Sequence, residues 1–101
     1  MYIIQILLPL SNNAGCAFPL EVFEDIQQRL VTRFGGLTAY TRAPARGVWV
    51  TQARPAIDDI VIAEVMTEAL DREWWRGFRA DVEDRLDQEE LVVRAFPIDL
   101  L

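Results

Sequence analysis

Four side chains with chemical capability are set into otherwise mostly aliphatic runs of this 101-residue chain. They are Gln5 within residues 2–8, Tyr40 within 37–41, Glu64 within 60–66 and Arg94 within 91–96. An amide, a phenol, a carboxylate and a guanidinium suit two kinds of work. Arg94 can pair with an anionic group while Gln5, Glu64 and Tyr40 orient the rest of a small organic ligand. Alternatively, Glu64 serves as a general base and Tyr40 as a proton donor on a small organic substrate, with no cofactor. A third assignment involves no ligand: Arg94 and Glu64 form an ion pair that fixes how two copies of the chain meet.

Composition narrows the chemistry. The chain has no histidine, which removes the commonest general base and transition-metal ligand, and with them the histidine-dependent triads. Asp58, Asp59, Glu64 and Glu68 lack the glycine-centred spacing of a calcium loop, and adjacent acids on a strand point to opposite faces, so no metal is expected. Cys16 is alone, which excludes an internal disulfide; without a histidine partner it reads as a loop or packed thiol. Sixteen acidic against ten basic residues give a net charge of -6. That balance repels phosphate backbones, so nucleic acid is not an expected partner. Arg33, Arg42, Arg46 and Arg54 cluster near the middle and read as solvated loop arginines; the alternative is the contact surface of a protein-interaction module. Residues 1–10 are apolar but lack a basic flank, contain Pro9 and are far too short to span a bilayer. The expectation is a cytoplasmic protein without a membrane partner.

The elements that must position the four residues are organised around residues 34–50, the joint between two similar halves. Residues 2–8 are a short β-branched run bounded by Pro9, as expected of a buried central strand. Pro19 suits a first helical turn, and Leu20, Phe23, Ile26 or Gln27, Leu30, Val31 and Phe34 share one helical face. Gly35 stops that helix in a left-handed conformation. Residues 37–41 and 48–51 read as two short strands separated by a turn at Pro44 and Gly47, and 53–56 as another loop. Residues 60–66 form a second central strand. Asp71 caps a second helix with Trp75, Phe78, Val82 and Leu86 on its buried stripe. Gly77 costs that helix stability, which points to a close packing contact. Of Trp74 and Trp75, one faces inward. Residues 91–96 are the last strand.

The order β-α-β-β-α-β specifies a single α+β domain over residues 1–101. It is the ferredoxin-like fold, an antiparallel sheet with two helices on one face and an extra strand around 48–51. Alternation along each strand sends the all-apolar sets under the helices and the sets holding Gln5, Glu64 and Arg94 to the open face. With the last strand beside the first, then the third and the second, Arg94, Gln5, Glu64 and either Thr38 or Tyr40 form one row. Ile3, Leu7, Ile62, Met66, Val92 and Phe96 surround it. Large aliphatics beside charges call for a cover, and a second copy's sheet would make a homodimer enclosing a cavity.

The segments Leu8-Pro9-Leu10, Phe34-Gly35-Gly36-Leu37-Thr38 and Ala45-Arg46-Gly47-Val48-Trp49 resemble small bacterial proteins of unassigned function with a ferredoxin-like fold. In layout the chain is similar to the dimeric α+β barrel group. That resemblance implies ligand-binding regulators or cofactor-free monooxygenases, decarboxylase-like and dehydratase-like enzymes as function classes. Several of these families place a histidine in the cavity, and this chain has none.

Overall fold

The computed structural model describes the backbone of residues 1–51 and 54–101, and the side chains of residues 1–39 and 60–101. Six elements follow in the order β1 (Tyr2–Pro9), α1 (Leu20–Phe34), β2 (Thr38–Thr51), β3 (Arg54–Thr67), α2 (Arg72–Arg85) and β4 (Val92–Pro97). Every strand pair is antiparallel and the sheet order is β2-β3-β1-β4, so the last strand lies beside the first. This is the ferredoxin-like arrangement that the sequence pattern specifies.

Alternation along the central strands builds the core on one face. Ile4, Ile6 and Leu8 of β1 and Ala63 and Val65 of β3 are buried with Ile26 and Leu30 of α1 and Trp75, Phe78 and Val82 of α2. Aromatic rings close the seam between the helices. Phe34 stacks on Trp75 and Trp74 on Phe78, with ring centres 5.2 and 5.3 Å apart. Outside them, three ion pairs cross the seam: Arg29–Asp81 at 3.0 Å, Arg33–Asp71 at 3.2 Å and Arg85–Asp25 at 2.7 Å. Both helix ends follow from single residues. Gly35 has φ 79° and donates its N–H to the Val31 carbonyl, a left-handed conformation that residues with a β-carbon rarely adopt. Asp71 accepts a hydrogen bond from the Trp74 N–H at 3.1 Å and so satisfies one of the unpaired donors at the start of α2.

Several expectations are corrected. The two short strands at 37–41 and 48–51 are one strand, β2, and the additional strand does not exist as a separate element. The register breaks between Tyr40 and Ala45, where Thr41 to Pro44 stand against Val61 alone. Pro44 is accommodated because it falls in this irregular stretch of an edge strand, where a missing N–H breaks no ladder. The expected loop at 53–56 is overrun by β3, which starts at Arg54; residue 53 lies outside the described residues. Pro55 is tolerated there because β1 pairs with β3 only over Ile60–Thr67, leaving the earlier part of β3 unpaired on that side. Pro19 precedes the first turn of α1 rather than entering it. Leu20 and Val31 are exposed instead of packed. Gly77 serves no close contact: a β-carbon there would meet open space. Arg33 is not a solvated loop arginine, since it pairs with Asp71 and lies 5.3 Å over the Trp74 ring.

Candidate functional site

Register, more than any single residue, assembles the site. Gln5 lies directly opposite Glu64 on β3 and opposite Arg94 on β4, and Glu64 lies opposite Thr38 on β2. Arg94, Gln5, Glu64 and Thr38 therefore form one straight row across all four strands. Two residues away on each side, about 6.8 Å along the strands, runs an apolar line. Phe96, Ile3 and Met66 make one, and Val92, Leu7 and Ile62 make the other. The open face of the sheet is thus a polar stripe between two apolar stripes.

Hydrogen bonds join the row. The Arg94 Nε donates to Gln5 Oε1 at 2.8 Å, and Gln5 Nε2 donates to Glu64 Oε1 at 2.5 Å. The amide is oriented by its neighbours, its oxygen toward the cation and its N–H toward the carboxylate. The guanidinium also lies 5.6 Å over the Phe96 ring, a favourable cation–π position. Among the described residues, no hydrogen bond occupies the two terminal nitrogens of Arg94. Gln5 and Glu64 are half-buried, whereas Arg94 is exposed. The flanking lines remain partly open: Met66 is 53%, Val92 44% and Phe96 41% exposed.

Three of the four residues singled out in the sequence are therefore brought into contact or direct succession. Tyr40 is not in the row. Its backbone pairs with Ile62, one step along the sheet, and Thr38 takes the place beside Glu64; the Tyr40 side chain lies outside the described residues. So do the side chains of Arg42, Arg46, Trp49, Arg54, Asp58 and Asp59. Cys16 is exposed in a turn where Asn12 Oδ1 accepts from the Ala14 and Cys16 N–H groups, both at 2.9 Å. Among the described residues, no three metal-ligating side chains come together.

One feature escaped the sequence reading. A groove of about 230 Å³ separates α2 from the edge strand β4, with Arg72, Arg76 and Arg79 along its helical side. Their spacing of four and three residues is the signal that places them on one face of a helix.

No protein-family model and no curated protein sequence matches the chain. Solved structures do. A divalent cation tolerance protein (CutA1) from Thermus thermophilus superposes with a TM-score of 0.63 at 16% identity, covering 97% of this chain and 84% of that one. The periplasmic divalent cation tolerance protein CutA from Archaeoglobus fulgidus gives 0.64 at 18% identity, covering 99% and 86%. A phage SAM lyase in complex with S-methyl-5'-thioadenosine gives 0.62 at 17% identity, covering 94% and 79%. At these identities the likeness shows the fold alone, a small ferredoxin-like domain.

Proposed function

We propose that this chain is a small homodimeric protein whose subunits meet through the open sheet face and bind a small organic anion along the polar row. The observation that carries the reading is the row Arg94–Gln5–Glu64–Thr38 set between two apolar lines. Arg94 offers its terminal nitrogens as a fork for a carboxylate or comparable oxyanion. Glu64 accepts from a hydroxyl or amino donor on the same ligand, since a carboxylate has about four acceptor positions. The two residues are two strands apart, roughly 9.5 Å, which sets the ligand's length at that of a short hydroxy- or amino-acid skeleton. Gln5 holds the two ends at fixed spacing. The apolar lines bury the ligand's carbon frame and, in a second copy, the matching lines. That one of the similar folds is a phage SAM lyase in complex with a small nucleoside thioether supports the suitability of this architecture for holding an organic molecule.

Light scattering followed by native mass spectrometry on the same sample tests the reading. The expected result is a dimer that carries an additional small mass, and Arg94→Ala loses that mass while remaining dimeric. A monomer under all conditions removes the cavity. Glu64→Gln separates binding from turnover: a binding protein retains its ligand, whereas an enzyme using Glu64 as base retains ligand but loses turnover of it.

A further inference from the structure

We propose that the groove between α2 and β4 docks an extended acidic segment of a different protein, which adds an antiparallel strand to the sheet and places two carboxylates on Arg72 and Arg76. The phase of backbone pairing identifies the receptive groups. Pro97 lies opposite Tyr2, and the Ile98 N–H donates to the Met1 carbonyl at 3.0 Å. In an antiparallel ladder that bond makes Tyr2–Pro97 a pair that exchanges no bonds directly, and the pattern alternates from there. Phe96, Arg94 and Val92 consequently bond to β1. Val93 and Ala95 direct N–H and C=O away from it. Among the described residues, none takes up those groups. An unsatisfied edge of this kind is a template for another strand.

The groove then dictates the chemistry of that strand. Val93 and Ala95 both line it, and Val93 packs against the core, so their side chains lie on the helical face of the sheet. Residues opposite them on an added strand point to the same face, toward α2. Two such residues are about 6.8 Å apart. Arg72 and Arg76, four residues apart on a helix, are separated by about 6 Å along its axis. The spacings match for a Glu-x-Glu or Asp-x-Asp segment.

Charge pairing on α2 is selective. Arg85 is bound to Asp25 across the helix seam, and Arg79 lies 3.9 Å from Glu83. Glu83 in turn accepts from the Leu91 N–H at 2.8 Å. Arg72 and Arg76 have no carboxylate partner among the described residues, in a chain with a net charge of -6. The strands of a second copy do not supply the match. No strand of this chain carries two acids two residues apart: β1, β2 and β4 have none, and those of β3 are Asp58, Asp59 and Glu64.

Fluorescence polarisation with a labelled Thr-Val-Glu-Val-Glu-Val-Thr peptide tests the assignment. The expected result is salt-sensitive binding, weakened about tenfold by the Arg72→Ala/Arg76→Ala double substitution, as for two exposed ion pairs. N-methylation of both glutamates should weaken binding comparably. Amide exchange at Val93 and Ala95 should slow on binding. Both arginines are exposed, so unchanged circular dichroism will confirm that the variant folds. With the peptide, any of these results overturns the proposal: no binding at millimolar peptide, equal binding of the peptide with lysines in place of the glutamates, equal binding by the double variant, or equal binding of the N-methylated peptide. The last would mark an anion site without strand addition. Self-association lost in the double variant would instead assign the edge to a second copy and equally overturn it.

Discussion

The open face has to contribute most of the association energy if two copies meet there, and Met66→Glu measures how much. Met66, Val92 and Phe96 retain 53%, 44% and 41% of their exposure. Burying a whole side chain of this size is worth about 1.5–3 kcal/mol, so each partly open one has about 1 kcal/mol still to gain. Three side chains from each of two copies then supply about 6 kcal/mol. Association costs at least roughly 4 kcal/mol, so the dimer should be a weak one whose population changes over an accessible concentration range. Met66→Glu removes about 1 kcal/mol from each subunit and adds a carboxylate to be desolvated, so the dissociation constant should rise at least about 30-fold. Sedimentation velocity over a concentration series reads this directly. Leu20→Glu is the control, because Leu20 is 67% exposed at the start of α1, on the opposite layer. If both substitutions shift the equilibrium alike, or the unmodified protein remains monomeric at several hundred micromolar, the reasoning from the apolar lines fails.

Three further outcomes follow from individual contacts. Gln5→Leu removes both hydrogen bonds of the amide and should lower the urea midpoint by the equivalent of about 1–2 kcal/mol with an unchanged m-value; combined with Arg94→Met it should cost less than the sum of the two, because the pair shares one bond. Asp71→Ala should cost about 1–2 kcal/mol through loss of the cap and the Arg33 ion pair, whereas Asp71→Asn keeps a capping oxygen and should cost less than about 1 kcal/mol. The two glycines should respond with opposite signs in thermal melts. Gly77→Ala, with open space at the new β-carbon, should stabilise by about 0.5–1 kcal/mol, and Gly35→Ala, at φ 79°, should destabilise by about 1 kcal/mol.

The row could be read from the sequence because two separate rules converge on it. Alternation assigns Gln5, Glu64 and Arg94 to one face of their strands, and the sheet order for β-α-β-β-α-β makes those strands neighbours. Register supplied the remaining condition. Gln5 is the fourth residue of an eight-residue strand, and its partners pair without an intervening bulge. The choice between Thr38 and Tyr40 was not legible, since they are two residues apart in one strand and only the pairing of β2 with β3 distinguishes them. The full extent of β2 and β3 was hidden for a related reason. Pro44, Gly47 and Pro55 carry turn signals whose effect depends on whether a neighbouring strand needs the missing N–H, and that depends on where β1 ends. Gly77 misled because a helix glycine signals a cost without saying whether anything is gained by it.

The core of this domain and the polar row of its open face lie on opposite sides of one sheet. The core is covered within the chain: Ile4, Ile6, Leu8, Ala63 and Val65 are closed over by both helices, and the arginines at the helix seam are matched to acids. Nothing in that core calls for Ile3, Leu7, Ile62 or Met66 on the other face, where serine or threonine would satisfy strand geometry equally well. Their presence is surplus to folding, and the proposed dimer gives such a surface a cover. The same logic applies at the β4 edge. A chain with more acids than bases pairs its seam arginines and leaves Arg72 and Arg76 beside backbone groups that point outward. Both surfaces depart from what the fold alone requires, and both do so where a second molecule would restore the balance.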